Sequence, residues 1–431
     1  TKIKPLAQAG NESKCRFVFA LHPYMNNAIR YNSEENYQAD LKVMQAKFAQ
    51  VIEAGVRQIA ILADDAGNVG GDNYIKTLKD MTAWIKEMQK TYPDLKLTLP
   101  FCTQEYMGNG QGYYTNFPEN VQIVMTGGRV WGEVSNNFTT TFTNNVGRGP
   151  YMWINWPCTD NSKKHLIMGG YSTFLHPGVD PNKIQGIVLN PMQQSEPSKV
   201  AIFGNACYSW NIWQSKAEAD EIWNDSFQYV DHNSSLTTQS SKALRELSKH
   251  MINQNMIGGD NPVTPLDESV ELKPKLDALK SALNSHTATV EQVNELIQEF
   301  ETLAKASQIY RNSGNQRIKE QIVYWLDCWD DTAGSAIAYL KAVKANIEGD
   351  STTLLNQYSN GQKLFANSRT HALWYRDHYQ YAEVGVQRIV PFIKALDEYT
   401  SQQVEMIANP DKKGEVNLSL EISNDIVVAQ G

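Results

Sequence analysis

No apolar run in this chain approaches the roughly 18 to 20 residues that cross a bilayer, and its first residues show no charged segment leading into an apolar one. Neither a membrane span nor a signal peptide is therefore expected within it. Cysteine is scarce: Cys15, Cys102, Cys158, Cys207 and Cys328 are scattered, odd in number and without CxxC spacing. That excludes a disulfide framework and a zinc finger and leaves buried thiols. Positive charge is in deficit, with 39 Lys and Arg against 47 Asp and Glu for a net charge of -8, which argues against nucleic acid as a partner. Phosphate-cradling glycine motifs are missing too: neither GxGxxG nor GxxxxGK follows any apolar run, so nucleotide binding is disfavoured.

What is present is a globular composition, 41% hydrophobic and 20% charged over 431 residues, long enough for two or three domains. Up to residue 214, short apolar runs alternate with amphipathic segments: CRFVFALHP, VRQIAILADD, LKLTLPF, VQIVMTG, YMWINW and GIVLNPM. This is the α/β pattern, and continuous apolar runs are those of parallel strands covered by helices. Between the first two, Leu41, Met44, Phe48, Val51 and Ile52 recur at helical spacing, and Gly55 is placed to end the helix. A closed (β/α)8 barrel and an open doubly wound sheet both fit this order, and both bind ligands at the C-terminal ends of the strands. Most of the 27 glycines and 16 prolines lie in this half.

From 215 to 409 helical periodicity dominates, and a helical bundle is expected. Val290, Val293, Leu296, Ile297, Phe300 and Leu303 form one face behind a Thr289/Gln292 capping box; Ile318, Ile322, Trp325, Leu326 and Trp329 form another. IGGDNPVTPLD reads as a connector, and residues 410–431, which include the alternating VNLSLEISNDIVV, as a linker or the start of a further segment. The opening KIKPLAQAG looks like the end of a helix, and six strand-helix units are visible where a barrel has eight.

The run QIAILADD delivers Asp64 and Asp65 to a strand end, where the chain leaves the sheet and both side chains can turn toward a ligand. Two carboxylates sharing a site favour one acid and one anion, the equipment for glycoside cleavage. The bland alternative is that they cap the next helix. Other strand ends carry Glu105 and Tyr106 in TQEY, Trp153 and Asn155 on one strand face, Asp160 in the loop beyond, and Asn190 in LNPM. Aromatic faces, amides and a carboxylate gathered there suit a sugar. Trp153 alone reads as core, and His22 reads as functional or, more often for a lone strand-end histidine, as structural.

At these residues the sequence resembles glycoside hydrolase family 84, the bacterial β-N-acetylglucosaminidases and O-GlcNAcases, over roughly residues 12 to 215 and more loosely through the helical region. The strand ending in Asp-Asp carries the resemblance, with TQEY, TGGRVW, the Trp-x-Asn…Asp arrangement of WINWPCTD, and LNPM in support. It implies a (β/α)8 barrel, lacking its first two units here, followed by the family's helical bundle. It also implies retaining exo-hydrolysis of terminal β-GlcNAc, with the 2-acetamido oxygen of the substrate attacking the anomeric carbon to form an oxazoline. Asp64 would hold the acetamido N–H and Asp65 act as acid and then base. Tyr106 would bond near the acetamido group, Trp153 line the pocket, and Asn155, Asp160 and Asn190 bind the sugar. No cofactor and no metal are implied; the expected partners are GlcNAc-bearing glycans or glycoproteins and further modules on the same polypeptide, in a secreted or cell-surface bacterial setting.

The sequence departs from the family pattern in three places. The glycine-aromatic motif and the lysine of the first two strands are not found, the Ser-Pro-Gly after the next strand is His22-Pro23-Tyr24, and Thr-Gly-Pro is Thr126-Gly127-Gly128. Hyaluronan cleavage, a non-catalytic carbohydrate-binding or adhesion module, and a metal-dependent hydrolase using the paired aspartates are the competing expectations. The last lacks histidines at ligand spacing near Asp64.

Overall fold

All six apolar runs form strands in the computed structural model of the chain, which describes residues 2–253 and 266–410. In order they are β1 (Val18–Leu21), β2 (Gln58–Leu62), β3 (Leu99–Cys102), β4 (Val121–Met125), β5 (Tyr151–Pro157) and β6 (Gly186–Asn190). Every neighbouring pair is parallel, and the strands lie side by side in chain order. A doubly wound sheet reverses its order at a switch point; this one never does. Because crossovers between parallel strands are right-handed, an unreversed order sends the connections to one face and leaves the other free to curl inward.

The helices of this first unit are α1 (Ile3–Glu12), α2 (Glu34–Glu53), α3 (Gly71–Met88), α4 (Asn136–Val146), α5 (Tyr171–Phe174), α6 (Lys199–Trp210), α7 (Lys216–His232) and α8 (Gln239–Ser248). Their ends follow from local chemistry. Ser33 accepts from the Asn36 N–H to start α2, with Glu34 and Glu35 in its first turn. Gly55 then takes φ +110° just beyond it, a region a side chain would oppose. Ser135 caps α4 in the same way, and Gly147 ends it at φ +81°. The face of α2 anticipated from spacing, Leu41, Met44, Phe48, Val51 and Ile52, is buried. Phe48 meets Phe19 of β1 edge-on at 6.4 Å. The strand core of Ile59, Ile61, Leu99, Phe101, Val121, Ile123, Met152 and Ile154 is fully buried. The sheet is less covered at its two edges, where Val18 of β1 and Val188 of β6 are 38% and 41% exposed.

The chain divides into two compact units, residues 1–267 with 314–322, and residues 268–313 with 323 onward. Helices α7 and α8, which periodicity groups with the later helices, belong to the first. The second contains α9 (Lys273–Asn284), α10 (Val290–Ser313), most of α11 (Gln316–Glu348), α12 (Ser351–Asn367), β7 (Ala372–Tyr375), β8 (His378–Tyr381) and α13 (Ile389–Ala408). The Thr289/Gln292 box ahead of α10 forms reciprocally: Thr289 N–H donates to Gln292 Oε1 at 3.1 Å and Gln292 N–H to Thr289 Oγ1 at 3.2 Å. Trp325, Leu326 and Trp329 of α11 are buried as their spacing predicts. Phe300 of α10 stacks on Phe392 of α13 at 6.2 Å.

The antiparallel hairpin β7–β8 is unanticipated; its aromatic residues pair across strands, Trp374 opposite Tyr379 at 4.9 Å, a contact that suits a hairpin. Most of the expected connector IGGDNPVTPLD, and the terminal segment from residue 411 with its strand-like stretch, lie outside the described residues.

Candidate functional site at the strand ends

At the C-terminal end of β2 the Ala63 N–H still donates to the Cys102 carbonyl at 2.8 Å. Then the chain turns, closed by Ala66 N–H on the Ala63 carbonyl at 3.2 Å, and Asp65 takes φ +56°. This left-handed residue breaks strand alternation, so two adjacent aspartates need not point to opposite faces. The two acids differ in surroundings. Asp65 is exposed, and its Oδ1 accepts from the Tyr106 hydroxyl at 2.9 Å. Asp64 is half-buried, and its Oδ1 is buried without a hydrogen-bond partner among the described residues. An ionised carboxylate only accepts, so this oxygen asks for a donor.

The phenol of Tyr106 is pushed well above the ordinary tyrosine range by burial, then by its bond to Asp65 and the charges of Asp65 and Asp64. It keeps its proton and donates it. Beneath the pair, burial first and the two aspartates second raise the Cys102 thiol, so it offers no thiolate nucleophile. Glu105, the other carboxylate of this strand end, turns to its own loop and accepts from Tyr113 at 2.8 Å and Tyr114 at 3.3 Å.

Two strands on, Asn155 of β5 is buried and donates from Nδ2 to the Val130 carbonyl at 2.7 Å. Its Oδ1 accepts from Asn190 Nδ2, at the end of β6, at 3.1 Å. Asn190 Nδ2 also reaches Cys158 Sγ at 3.4 Å, so both its N–H bonds go to protein and its Oδ1 is the atom left to accept from a ligand. Trp153 is half-buried. The register of β5 on β6 shifts between Ile154 and Pro157, and Trp156 within that shift is fully buried, stacked on Phe174 at 5.6 Å with its indole N–H on the Gly169 carbonyl. Asp160 is exposed in the loop after β5, where its carbonyl accepts from Lys163. Burial raises the Cys158 thiol to about 12.

One loop ties the two groups together. Thr126, after β4, donates its N–H to the Tyr106 carbonyl at 3.0 Å and its hydroxyl to the Arg129 carbonyl at 2.6 Å. One residue further, Val130 holds Asn155. Glu133 clamps the loop, accepting from Arg129 at 2.7 Å and bonded to His176 at 2.8 Å. The structure thus joins Asp65 to Tyr106 and Asn155 to Asn190, and the TGGRVW segment bridges them. His22 also reaches this strand end: its Nε2 lies 2.6 Å from the Asp64 carbonyl. Spacing gave no sign of the links made by His22, Asn155 and Thr126 to the main chain, because the acceptor in each is a backbone carbonyl that any residue carries.

Among the described residues no three His, Cys, Asp or Glu side chains gather as a metal site, and no helix is long and apolar enough to cross a membrane.

The family model described as beta-N-acetylglucosaminidase matches residues 1–249. Among solved structures, CpGH84D is similar over 93% of this chain and 66% of its own, at 29% identity and a TM-score of 0.83. CpGH84B is similar at 21% identity and a TM-score of 0.73, over 92% of this chain and 66% of that one. A mutant O-GlcNAc hydrolase of Thermobaculum terrenum aligns over 95% of this chain and 84% of its own, at 16% identity and a TM-score of 0.69. The last two likenesses speak for the fold, and the chain spans just under two thirds of the length of the first two. The resemblance to glycoside hydrolase family 84 read from the Asp-Asp strand is met by these matches. The chain belongs to the β-N-acetylglucosaminidase family.

Proposed function

We propose that this chain carries the catalytic centre of a retaining exo-β-N-acetylglucosaminidase that removes terminal β-linked GlcNAc from glycans or O-GlcNAc-modified proteins. The observation that carries this is the buried Asp64 Oδ1, without a hydrogen-bond partner among the described residues, next to the exposed Asp65. A 2-acetamido group supplies the N–H that Asp64 lacks, and binding it there turns the amide oxygen toward the anomeric carbon. The substrate then provides its own nucleophile, closing to an oxazoline as the glycosidic bond breaks. Asp65 protonates the departing oxygen and afterwards takes a proton from the attacking water, with net retention. Tyr106 fixes Asp65, while Asn155, Asn190, Asp160 and Trp153 bind and cover the sugar. No step calls for a cofactor.

The finer fold reading belongs here as well: six units of a (β/α)8 barrel followed by a helical bundle. The chain-order parallel sheet and the exposed Val18 and Val188 on its edge strands support it, since a barrel has no edges. The test is release of 4-nitrophenol from its β-GlcNAc glycoside. Asp65→Ala should lose about 10²- to 10⁴-fold, the worth of a positioned acid-base group, and Asp64→Ala should be severely impaired. Turnover at the wild-type rate in either variant, or binding of GlcNAc with no hydrolysis by the wild-type chain, rejects the assignment.

A further inference from the structure

His22 stands one residue beyond β1. Its Nε2 is 2.6 Å from the Asp64 backbone oxygen, and a carbonyl oxygen can only accept, so Nε2 carries the hydrogen. The same nitrogen is 3.9 Å from Asp64 Oδ1, beyond hydrogen-bond range. The hydrogen bond therefore goes to the peptide, while the ring stays within ion-pair distance of the Asp64 carboxylate.

That peptide is the one joining Asp64 to Asp65. Its carbonyl and the Asp65 nitrogen lie in one rigid plane, and Asp65 leaves this plane at φ +56°, a conformation that an aspartate keeps only where its surroundings hold it. We propose that His22 is a positioning residue for the acid Asp65, acting through the Asp64–Asp65 peptide; the proposal rests on the role given to Asp65 above.

Two further observations fit. The His22 ring is braced edge-on against Tyr24 at 6.4 Å, and buried Tyr24 is braced edge-on against Tyr74 at 5.3 Å. The post is stiff. Its other nitrogen, Nδ1, is buried without a hydrogen-bond partner among the described residues. Among the described residues the Asp64 carbonyl is the ring's one hydrogen-bonded contact. With Tyr106 on Oδ1 and His22 on the preceding carbonyl, Asp65 is held at both ends.

The experiment measures kcat/KM of the full chain on a series of aryl β-GlcNAc glycosides whose leaving groups run from 2,4-dinitrophenol to phenol. An acid that is present but badly aimed matters little to a good leaving group and much to a poor one. His22→Ala should lose about 10- to 100-fold on the phenyl glycoside, a fraction of what a general acid contributes, and change little on the dinitrophenyl one. His22→Gln, whose amide N–H can take the place of Nε2–H, should recover most of the loss. A uniform loss across the series, or no recovery in His22→Gln, overturns the proposal. Asp65→Ala must show the same tilt more deeply; if it shows none, the acid role of Asp65 itself fails. The ring ¹⁵N resonances of His22 give an answer independent of turnover and of whether His22→Ala folds: hydrogen on Nε2 is expected, and a ring carrying it on Nδ1 alone overturns the proposal.

Discussion

Tyr106 and Asp65 share one hydrogen bond, and its direction follows from their surroundings. The phenol's proton is held more tightly than usual by burial and by the carboxylate it faces, so Tyr106 donates and Asp65 accepts. A hydrogen bond to a charged group contributes about 1.5 to 3 kcal/mol. Tyr106→Phe should therefore lower kcat/KM roughly ten- to a hundredfold. A variant with full activity would show that the bond does not orient the acid. The neighbouring Glu105 looks equally chemical in sequence, yet two tyrosine hydroxyls occupy it. Residue type alone did not separate the two; the direction each side chain takes at the strand end did.

At the scale of elements, the loop after β4 is the part on which the most depends. It bonds to the backbone of Tyr106 through Thr126 and to the side chain of Asn155 through Val130. It can pass so tightly only because Gly132 has no side chain: a Cβ there would lie 1.9 Å from the Thr126 carbonyl oxygen. Gly132→Ala should force the loop open, costing about 2 to 4 kcal/mol of stability and most of the activity, both read from denaturant melts and 4-nitrophenol release. An alanine variant with wild-type stability and turnover would mean that the loop is looser than its contacts imply. The strands and long helices were legible in sequence for a simple reason. Strands buried on both faces are near-continuous apolar runs, as IAIL is in β2, and helices must repeat at 3.6 residues, as α10 and α11 do. The β7–β8 hairpin was not legible, since ALWYRDHYQY pairs aromatics across strands, a feature that a one-dimensional pattern set among helices does not display. The links from His22 and Asn155 to backbone oxygens were hidden for a different reason. They depend on three-dimensional approach, to which the acceptor's residue identity contributes nothing.

For the whole molecule, the buried histidine at the end of α8 sets one term of the pH dependence of stability. Burial, with a smaller contribution from the charge of Lys249, lowers the pKa of His250 from the ordinary 6.5 to about 3. Above about 6.5 the ring is neutral in folded and unfolded chains alike and adds no slope. Below that, the unfolded chain takes up a proton that the folded chain refuses until about pH 3, so stability is lost across this interval as pH falls. The slope from this one group is about 1.4 kcal/mol per pH unit. Urea melts between pH 6.5 and 4 should show a shallower decline in His250→Gln than in wild type, whatever the variant's stability at neutral pH; equal slopes would place the proton elsewhere.

The same whole-molecule view joins sheet, loop and acids into one expectation, that the sugar's own amide oxygen is the nucleophile. The most direct test is a series of 4-nitrophenyl β-glycosides in which the N-acetyl group is replaced by mono-, di- and trifluoroacetyl. Each fluorine withdraws electrons from the amide oxygen, so the account predicts that kcat/KM falls step by step along the series. A kcat/KM that stays level from acetyl to trifluoroacetyl would mean that the protein supplies the nucleophile, and would contradict the roles given to Asp64 and Asp65.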